Sequence, residues 1–595
     1  MPAFAKILVA NRGEIAIRIF RTLRELGIGA VAVYSEADRG SLHAAVADEA
    51  YLIGPGPPGA SYLNQEHLLE TAGRAGAEGI HPGYGFLAEN AAFARACAEA
   101  GFVWIGPPPE AIEAMGSKVE ARRLMEKAGV PIIPGTTDPV ASASEVIRIG
   151  EEVGWPIAIK ASAGGGGKGL KVAHSADEVE RALASAQREG EAYFSDAAVY
   201  VEKLIEDPRH VEVQVLADAH GNAVHLGERD CTIQRRHQKI VEETPSPAVT
   251  SGLRERIGEI ALDAAKAVGY RSAGTIEGLL DPDGNYYFLE MNTRIQVEHT
   301  ITELVTGIDL VREHVLIAAG EPLSFGQENV RFSGHAIECR INAEDPANAF
   351  LPSPGIVTAY REPAGPGVRI DSGVREGSEV VALYDPLIAK LCVWDTNRER
   401  ARLRMLRALG ELVVEGVTTL AGFHHALLSH PCFVEGTTCA GLAESEELAA
   451  QAQRWATRDG AGPAARAASA RIQERAVAVE VDGRRYTVRL LEAEPPHAEL
   501  ARRRQERAGG GGHHATASEA IVSPMQGTVL AVEVADGDEV QAGQVVCVIE
   551  AMKMENEITA HRDGEVRELS VRTGQQVTIG QVICVVAAKG TKRPS

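Results

Sequence analysis

The chain has 595 residues, of which 45% are hydrophobic and 24% are charged, and at roughly 100–200 residues per domain this length suggests about three to five globular domains. Its formal net charge of -22 argues against a nucleic-acid partner, because an acidic surface repels phosphates. The sequence contains no run of about 18 apolar residues and no signal-peptide pattern, so it predicts no membrane span and no membrane partner.

Short apolar strands alternate with amphipathic helices over about the first hundred residues. Strands are predicted at Lys6–Ala10 and Ala30–Tyr34, with a helix at Glu14–Leu26 between them. This alternation is typical of a parallel, doubly wound sheet. The turn that begins at Asn11 follows the first strand, and open α/β sheets bind ligands at the carboxyl ends of their strands.

A glycine-rich loop, Gly164–Gly167 followed by Lys168, lies within a segment that runs from about Ile132 to Lys203. Backbone N–H groups of glycines can approach phosphates without interference from a Cβ atom. A loop that is merely flexible is the alternative for four glycines taken alone. Lys160 ends the apolar run Pro156–Ile159, so its ammonium group is aimed at one place.

Two glutamates, Glu277 and Glu290, fall on predicted neighbouring strands on either side of the turn at Asp283-Gly284. Two carboxylates facing each other repel unless a cation lies between them. Mg²⁺ typically takes one or two carboxylates together with substrate phosphates, and the carbonyl oxygen of Asn292 can complete such a site. The pattern therefore predicts a site for Mg²⁺ or Mn²⁺; an ion pair at either glutamate is the alternative.

Polar residues alternate with Thr, Ile and Val between residues 292 and 298, at Asn292, Arg294, Gln296 and Glu298. A period of two places alternate side chains on one face of an extended segment. We therefore expect these four groups to share a face beside the predicted metal site. A solvated edge strand is the alternative.

The C-terminal third begins with a connector at residues 448–470, a β-hairpin at Val477–Leu491 around Asp482-Gly483, and a flexible linker at Ala501–Ala517. An internal repeat with a period of 37 residues follows. Seven residues of its first half recur in the second half, namely Gly527, Gly537, Val540, Gly543, Gln544, Val545 and Cys547 as Gly564, Gly574, Val577, Gly580, Gln581, Val582 and Cys584. Two equivalent halves predict a small β-sandwich with a quasi-twofold axis.

The two halves of the repeat meet at the predicted turn Glu550–Glu555, with Lys553 at its tip between Met552 and Met554. The sequence Ala551-Met552-Lys553-Met554, with Ser523–Gly527 ahead of it, resembles the attachment site of biotin carboxyl carrier domains. Lipoyl domains are similar, but they usually have Asp and Ala around the lysine. The resemblance implies that Lys553 is converted to an amide with biotin by a biotin protein ligase.

Residues 1–447 resemble biotin carboxylases of the ATP-grasp superfamily. Long strings in the same order carry this resemblance: Asn11–Ala16, His81–Leu87, Gly164–Gly169, Gly227–Cys231, Glu290–His299 and Glu338–Asn342. The implied fold is α/β, a Rossmann-like domain followed by an ATP-grasp body and lid, and then an all-β biotinyl sandwich of the lipoyl type. The implied domains are 1–117 (Rossmann-like), 118–317 (ATP-grasp, lid about 132–203), 334–447 (carboxylase C-terminal), 448–519 (linker and hairpin) and 520–588 (carrier).

The resemblance also implies roles for individual residues. Contacts with ATP are implied for Lys118, Lys160, Gly165, Gly166, Glu202, Leu204, His210, Gln234 and His237. Metal ligands are implied at Glu277, Glu290 and Asn292, and bicarbonate contacts at Lys239, Arg294, Gln296 and the backbone of Val297. Glu298 is implied as the base that deprotonates bicarbonate, and Arg340 as the group that stabilises the biotin enolate. Family members often have Arg where this chain has Lys168 and Lys171, and a lysine keeps the charge but loses bidentate geometry.

The implied reaction has two steps, in which ATP phosphorylates bicarbonate to carboxyphosphate, and the CO₂ released from it carboxylates biotin. No carboxyltransferase region follows the carrier repeat, so a separate carboxyltransferase (β) subunit is the expected partner. The layout resembles the α subunit of bacterial acyl-CoA carboxylases, with acetyl-CoA and propionyl-CoA as leading acceptors and pyruvate and 3-methylcrotonyl-CoA as alternatives. The resemblance also implies a homo-oligomer formed through the carboxylase part.

Two other classes of protein remain as alternatives. One is a different ATP-grasp ligase, which makes an acyl phosphate for an amine; the His81–Leu87 string and the carrier repeat count against it. The other is a non-catalytic carrier or scaffold, against which the presence of four residues counts: Glu277, Glu290, Glu298 and Arg340.

The 8 cysteines are scattered along the chain, and none forms a C-x-x-C pair. This distribution is typical of reduced thiols in a cytoplasmic protein. We therefore expect a cytoplasmic location and no disulfide framework.

Overall fold

The structure, a computed structural model, describes residues 4–136, 138–161, 170–194, 198–236, 238–457, 472–481, 484–493, 520–551, 554–578 and 580–587. Within these ranges only the backbone is described at 118, 192–194, 456–457, 472–481, 484–493, 551 and 554–555.

The α-helices span Gly13–Glu25, Leu42–Val46, Gln65–Ala75, Ala91–Glu99, Pro109–Gly116, Lys118–Lys127, Ala143–Val153, Val179–Phe194, Ser251–Ala267, His299–Thr306, Leu310–Ala318, Arg398–Glu411, Ala421–Ser429, Pro431–Glu435 and Glu446–Thr457. Short 3-10 helices span Glu36–Asp38, Pro58–Ala60, Ala176–Glu178, Gln327–Asn329, Pro346–Asn348 and Leu442–Glu444. The described helices include none that is both long enough and apolar enough to cross a bilayer.

The β-strands of the N-terminal and central regions span Lys6–Val9, Gly29–Tyr34, Glu49–Leu52, Gly79–His81, Val103–Trp104, Ile157–Ala161, Leu170–Ala173, Val199–Lys203, Arg209–Ala217, Ala223–Arg235, Gln238–Thr244, Ser272–Leu280 and Tyr286–Asn292. The remaining strands span His335–Asn342, Glu344–Asp345, Leu351–Pro352, Gly355–Ile356, Ala359–Arg361, Val368–Ser372, Glu379–Val380, Leu387–Asp395, Val413–Glu415, Ile472–Val481, Arg484–Ala493, Ala520–Val522, Gly527–Val532, Glu539–Val540, Val545–Ala551, Met554–Thr559, Gly564–Arg567, Gln576–Val577 and Val582–Ala587.

The first five strands form a parallel sheet, which confirms the predicted doubly wound N-terminal region. Lys6–Val9 lies in the middle, paired on one side with Gly29–Tyr34 and on the other with Gly79–His81. The side-chain amide of Asn11 donates hydrogen bonds to the carbonyl oxygens of Pro82 (2.6 Å) and Tyr84 (2.7 Å). The turns after two neighbouring strands are thereby joined at the carboxyl edge of the sheet.

A separate three-stranded antiparallel sheet lies within the segment predicted as the lid. Its central strand is Ile157–Ala161, flanked by Leu170–Ala173 and Val199–Lys203. Helices Ala143–Val153 and Val179–Phe194 contribute to a hydrophobic core that belongs to this unit alone. Lys160 therefore lies inside a strand, one residue before its end.

An eight-stranded antiparallel sheet joins the two predicted domains 118–317 and 334–447. Strand Gln238–Thr244 pairs with His335–Asn342, with Val241 opposite Cys339. The sheet therefore continues from one predicted domain into the other. This pairing brings together residues about a hundred positions apart in the chain.

Helix Glu446–Thr457 crosses the predicted boundary at residue 447. Leu448 and Ala452 are buried in the same hydrophobic core as Phe423 of the carboxylase C-terminal region. The connector that follows this region therefore begins after the helix.

The carrier region folds into two four-stranded sheets that enclose one hydrophobic core, as the repeat predicted. A Cβ atom at Gly527 would collide with the carbonyl oxygen of Glu550, and one at Gly564 would collide with that of Ala587, the equivalent residue of the second half. Glycine is therefore required at equivalent positions by the same close approach in each half. The repeated glycine in the sequence thus corresponds to the same backbone contact in both halves of the sandwich.

The strands on either side of Lys553 reach further than predicted. Val545–Ala551 and Met554–Thr559 pair with each other, with Ala551 opposite Met554. Met552 and Lys553 themselves lie outside the described residues. Strands Ile472–Val481 and Arg484–Ala493 likewise form a hairpin longer than the predicted one.

The expectation that all cysteines are reduced is wrong for one pair. Cys432 and Cys439 form a disulfide, with their Cα atoms 5.7 Å apart. The short helix Pro431–Glu435 ends at Gly436 in the left-handed conformation (φ 73°), which turns the chain back so that Cys439 returns beside Cys432. The spacing of seven residues concealed this contact, because it matches no C-x-x-C pattern.

We expect Cys432→Ser to lower the free energy of unfolding by about 2 kcal/mol, because a cross-link restricts the unfolded chain and a loop this short gives a modest effect. Thermal unfolding without reductant measures the loss, and reductant should reduce the stability of the unsubstituted protein by the same amount. Thiol titration in denaturant should find the six free cysteines before reduction. Eight titratable thiols would contradict the disulfide.

Candidate active site

A cavity of about 620 Å³ opens where the parallel sheet, the three-stranded sheet and the eight-stranded sheet meet. Cavities of roughly 300–1,000 Å³ typically hold small-molecule ligands. Thirteen residues with predicted roles line it: Lys160, Glu202, His210, Gln234, Lys239, Glu277, Glu290, Asn292, Arg294, Gln296, Val297, Glu298 and Arg340. The tertiary structure thus gathers in one place residues that are far apart in the sequence.

Lys239 lies at the centre of a group of carboxylates. Its Nζ donates hydrogen bonds to Glu212 (2.5 Å), Glu277 (2.8 Å) and Glu298 (2.8 Å). Burial lowers the pKa of Lys239, but these carboxylates outweigh burial and hold it well above its ordinary value. Lys239 is therefore a charged group at neutral pH.

Arg229 supports the same group of carboxylates from behind the cavity. Its side chain is completely buried, and it donates to Glu212 (2.5 Å) and to Gln296 Oε1 (2.7 Å).

Two clusters of donor atoms around Glu212 have a spacing that could hold a metal, one with His210 and Glu277 and one with Cys231 and Glu298. The ammonium of Lys239 and the guanidinium of Arg229 already neutralise Glu212, which both clusters share, so a metal is not needed at Glu212.

Glu298 and Arg340 form an ion pair at the edge of the cavity. Arg340 Nη2 donates to Glu298 Oε2 (2.9 Å), and Lys239 occupies the other oxygen of the carboxylate. Burial raises the pKa of Glu298, but Lys239 and Arg340 outweigh burial and hold it well below its ordinary value. The carboxylate is therefore ionised, as a base must be before it accepts a proton.

Glu277 and Glu290 lie directly opposite each other on neighbouring antiparallel strands, which confirms the hairpin predicted from the sequence. Glu277 Oε1 accepts a hydrogen bond from Asn292 Nδ2 (2.7 Å), and its Oε2 lies 2.7 Å from His210 Nε2. Asn292 Oδ1 accepts from Arg294 Nη2 (2.8 Å). Two carboxylates and an amide oxygen are hard donors of the kind that Mg²⁺ and Mn²⁺ prefer, so these residues fit a divalent cation.

The segment from Asn292 to Glu298 is not the extended strand that its alternation predicted. The strand ends at Asn292 and a helix begins at His299. The chain turns between them, where the carbonyl oxygen of Gln296 accepts hydrogen bonds from the ring Nδ1 (2.7 Å) and the backbone N–H (3.3 Å) of His299. The four polar side chains still line one cavity, because a turn that wraps around a cavity can also direct them inward.

Contacts outside the cavity hold this turn in place. Arg294 Nε donates to Glu89 Oε2 (3.0 Å), and Glu89 follows the His81–Leu87 string. The fully buried Lys390 donates from Nζ to the carbonyl oxygen of Val297 (2.9 Å) and lies 3.1 Å from the Glu14 carboxylate. The turn is thereby anchored to two distant parts of the chain.

The residues predicted to bind ATP divide into two groups. Lys160, Glu202, His210 and Gln234 line the cavity, whereas Leu204 does not. The carboxylate of Glu202 forms ion pairs with Lys160 and with the buried Arg122, and the backbone N–H of Leu204 donates to the carbonyl oxygen of Pro156 (3.0 Å).

The predictions for Gly165, Gly166, Lys168 and His237 fall outside the described residues, as does the side chain of Lys118. Lys171 is described, and its Nζ lies 2.5 Å from Glu189 Oε1.

Sequence reasoning missed several charged residues of the site, namely Arg122, Glu212, Arg229, Glu242 and Lys390. Each of these is polar yet lies within an apolar stretch or a buried element, and a buried charge requires a partner. Arg229 belongs to the Gly227–Cys231 string, so its place in that string was the available signal. The others had no signal short of their tertiary contacts.

Four family profiles match successive segments of the chain. Residues 3–112 match the profile of the biotin carboxylase N-terminal domain, and residues 117–325 match that of the carbamoyl-phosphate synthase L chain, ATP binding domain. Residues 338–444 match the biotin carboxylase C-terminal domain, and residues 519–586 match the biotin-requiring enzyme profile. The fold and cavity therefore define a biotin carboxylase of the ATP-grasp type joined to a biotinyl domain.

Individual relatives differ in how much of the chain they cover. The biotin-dependent acyl-coenzyme A carboxylase alpha3 subunit of Mycobacterium leprae is 45% identical over 585 residues, which is 94% of this chain and 95% of the relative. The propionyl-CoA carboxylase alpha chain of Ruegeria pomeroyi is 39% identical over 662 residues, 94% of this chain and 96% of the relative. A pyruvate carboxylase subunit of Methanothermobacter thermautotrophicus is 54% identical over 433 residues, 73% of this chain and 88% of the relative. The chain belongs to the family of biotin-dependent carboxylase alpha subunits, in which the biotin carboxylase and the biotin carrier domain share one polypeptide.

A solved structure supports the carboxylase part. The biotin carboxylase domain dimer of the Hydrogenobacter thermophilus 2-oxoglutarate carboxylase, in complex with MgADP, ADP and bicarbonate, superimposes with a TM-score of 0.70 at 47% identity. The similarity covers 75% of this chain and 98% of that domain.

Proposed function

We propose that this chain uses ATP to activate bicarbonate and carboxylates the biotin carried on Lys553 of its own C-terminal domain. The observation that supports this most directly is the convergence of Lys239, Glu298, Arg340 and the Glu277–Glu290 pair on one cavity. Cations that can hold anions lie beside carboxylates that can hold a metal. This is the arrangement that phosphoryl transfer to an anionic acceptor needs.

In the first step, the γ-phosphoryl group of ATP moves to an oxygen of bicarbonate, which forms carboxyphosphate and releases ADP. Lys239, Arg294 and Gln296 hold the bicarbonate, and Glu298 accepts its proton. Mg²⁺ or Mn²⁺ bound by Glu277, Glu290 and Asn292 would neutralise phosphate charge.

In the second step, carboxyphosphate separates into CO₂ and phosphate, and the phosphate takes up the proton that biotin loses. Biotin supplies the nitrogen that carries the carboxyl group to the acceptor. Arg340 stabilises the negative charge that develops on the ring as its proton leaves. Closure of the lid segment, about residues 132–203, excludes water that would hydrolyse the intermediate.

We further propose that a separate carboxyltransferase (β) subunit transfers the carboxyl group to acetyl-CoA or propionyl-CoA. Similarity over nearly the whole chain to subunits of acyl-CoA carboxylases supports this acceptor class. Pyruvate and 3-methylcrotonyl-CoA are the alternatives, and identification of the copurifying partner would decide among them. The proposal includes a biotin protein ligase as partner, a homo-oligomer through the carboxylase part, and a cytoplasmic location.

We expect a chain that ends at residue 457 to cleave ATP in a bicarbonate- and biotin-dependent manner with free biotin as acceptor. Ending at residue 457 retains helix Glu446–Thr457, whose Leu448 and Ala452 are buried. The truncated chain should need high concentrations of biotin, because a tether normally raises the local concentration to roughly millimolar. It should not support carboxylation of acyl-CoA with the partner subunit.

The biotinylated fragment 515–595, added at high concentration, should restore part of the overall activity. Circular dichroism and gel filtration serve as controls for folding. A folded truncated chain without biotin-dependent ATP cleavage would place an essential part of the catalytic unit beyond residue 457.

A further inference from the structure

The strand that carries Lys239 contains an irregularity with a consequence for the site. Lys239 pairs with Gln234 and Val241 pairs with Ile233 on the neighbouring strand, so Ile240 has no partner residue of its own. This is a β-bulge, which shifts the residues after it to the other face. Ile240 and Val241 accordingly share one hydrophobic core.

As a result, Glu242 lies on the face of the sheet that carries Lys239. Regular alternation would have placed Glu242 on the opposite face. Its carboxylate instead accepts a hydrogen bond from Arg340 Nε (2.6 Å). Glu242 is completely buried and does not line the cavity, whereas Arg340 does.

Arg340 is thus held from two sides. Glu242 binds Nε and Glu298 binds Nη2 (2.9 Å), and no hydrogen bond links Nη1 to any described residue. Two fixed nitrogens leave the planar guanidinium little freedom. Nη1 therefore keeps both of its N–H groups for a substrate, whereas Nη2 keeps one and Nε none.

Burying the Glu242 carboxylate in these surroundings lowers the stability of the fold, and a residue that served packing alone would not require this. Glu338 lies directly opposite it on the next strand, and Glu242 Oε2 and Glu338 Oε1 are both buried without a hydrogen-bond partner among the described residues. Burial raises the pKa of Glu242 to about 8, although Arg340 opposes this shift, and burial also raises the pKa of Glu338. Unsatisfied buried groups of this kind are typical of functional sites, where local stability is given up for activity.

We propose that Glu242 is the positioning residue of Arg340, and that it holds the guanidinium so that Nη1 remains available to the group that receives the carboxyl. This inference rests on the proposed function, in which Arg340 stabilises charge on biotin. Glu242 acts through Arg340 and touches no substrate. Without Glu242, Lys239 still binds Glu298, so transfer to biotin should suffer more than ATP cleavage.

The test compares two activities of the full-length protein with Lys553→Ala, which carries no biotin of its own: ATP cleavage without biotin and carboxylation of added free biotin. We expect Glu242→Ala to lower the kcat of biotin carboxylation by about 100-fold, since a displacement of about 1 Å in a positioned group can cost that much. The kcat of biotin-independent ATP cleavage should fall by about tenfold or less, because the groups that hold bicarbonate and phosphate remain in place. If the alanine variant does not fold, Glu242→Gln, whose amide oxygen can still accept from Nε, should show a smaller loss of the same kind.

Glu243 provides a matched control. It is the next residue of the same strand, also buried, but faces the other side, where it binds Arg398 (2.7 and 3.0 Å) and His335 (2.8 Å). We expect Glu243→Ala to lower the melting temperature without changing the ratio of the two activities. A similar ratio change in the Glu243 variant would show a general structural effect and overturn the proposal.

A double-mutant cycle separates a role through Arg340 from an independent role. The variant with both Glu242→Ala and Arg340→Ala should be no worse than Arg340→Ala alone, because coupled residues are not additive. Additive losses, or equal losses in both activities, would overturn the proposal. If the unsubstituted protein shows no biotin-dependent ATP cleavage, the proposed function fails and the role of Glu242 fails with it.

Discussion

Lys553→Ala is expected to abolish avidin binding by the denatured chain and all carboxylation of the acceptor with the partner subunit. Only an amine at this position can form the amide with biotin, and biotin is the group that moves carboxyl between the two active sites. Intact mass should show one biotin on the unsubstituted protein and none on the variant. The carboxylase cavity is built from other residues, so the variant should still carboxylate free biotin.

Lys553→Arg is a matched variant, since it keeps the positive charge but cannot be biotinylated. It should lose acceptor carboxylation as completely as the alanine variant. Avidin binding that persists in either variant would show that another lysine carries the biotin.

Glu290→Gln is expected to lower bicarbonate-dependent ATP cleavage by at least about 100-fold, since removing a preorganised electrostatic group from an active site typically costs about that much. The substitution keeps the shape of the side chain and removes one of two carboxylates that face each other across neighbouring strands. A divalent cation held by these carboxylates is then bound more weakly. Raising the Mg²⁺ or Mn²⁺ concentration should recover part of the activity.

Asp283→Asn is the matched control, because Asp283 is an exposed carboxylate at the turn of the same hairpin. It should retain activity and its dependence on metal. Melting temperatures of both variants should remain close to that of the unsubstituted protein. A Glu290→Gln variant with full activity at ordinary Mg²⁺ concentrations would show that Glu290 has a structural role instead.

Local patterns in the sequence predicted much of the fold. The alternation around Lys6–Val9 predicted the parallel sheet, and the turn at Asp283-Gly284 predicted the hairpin that places Glu277 opposite Glu290. The repeat of Gly527 at Gly564 predicted the two halves of the carrier sandwich. Such features depend on periodicity and turn chemistry, which neighbouring residues determine.

Other features depended on contacts that no local pattern records. The disulfide between Cys432 and Cys439 required the turn at Gly436, and the segment after Asn292 turned where alternation predicted a strand. The core position of Leu448 placed a helix across the predicted boundary at residue 447.

The sequence by itself thus determined the family, the order of the domains and thirteen of the residues that line the cavity, because the resemblance lies in long strings and the folds of its parts follow from local pattern. Only the tertiary structure showed how the charges are held. The pairing of Gln238–Thr244 with His335–Asn342 brings Glu242 to Arg340, and one bulged residue decides which face Glu242 occupies. A buried charge is stabilised by partners distant in the chain, so the three-dimensional arrangement alone could identify them.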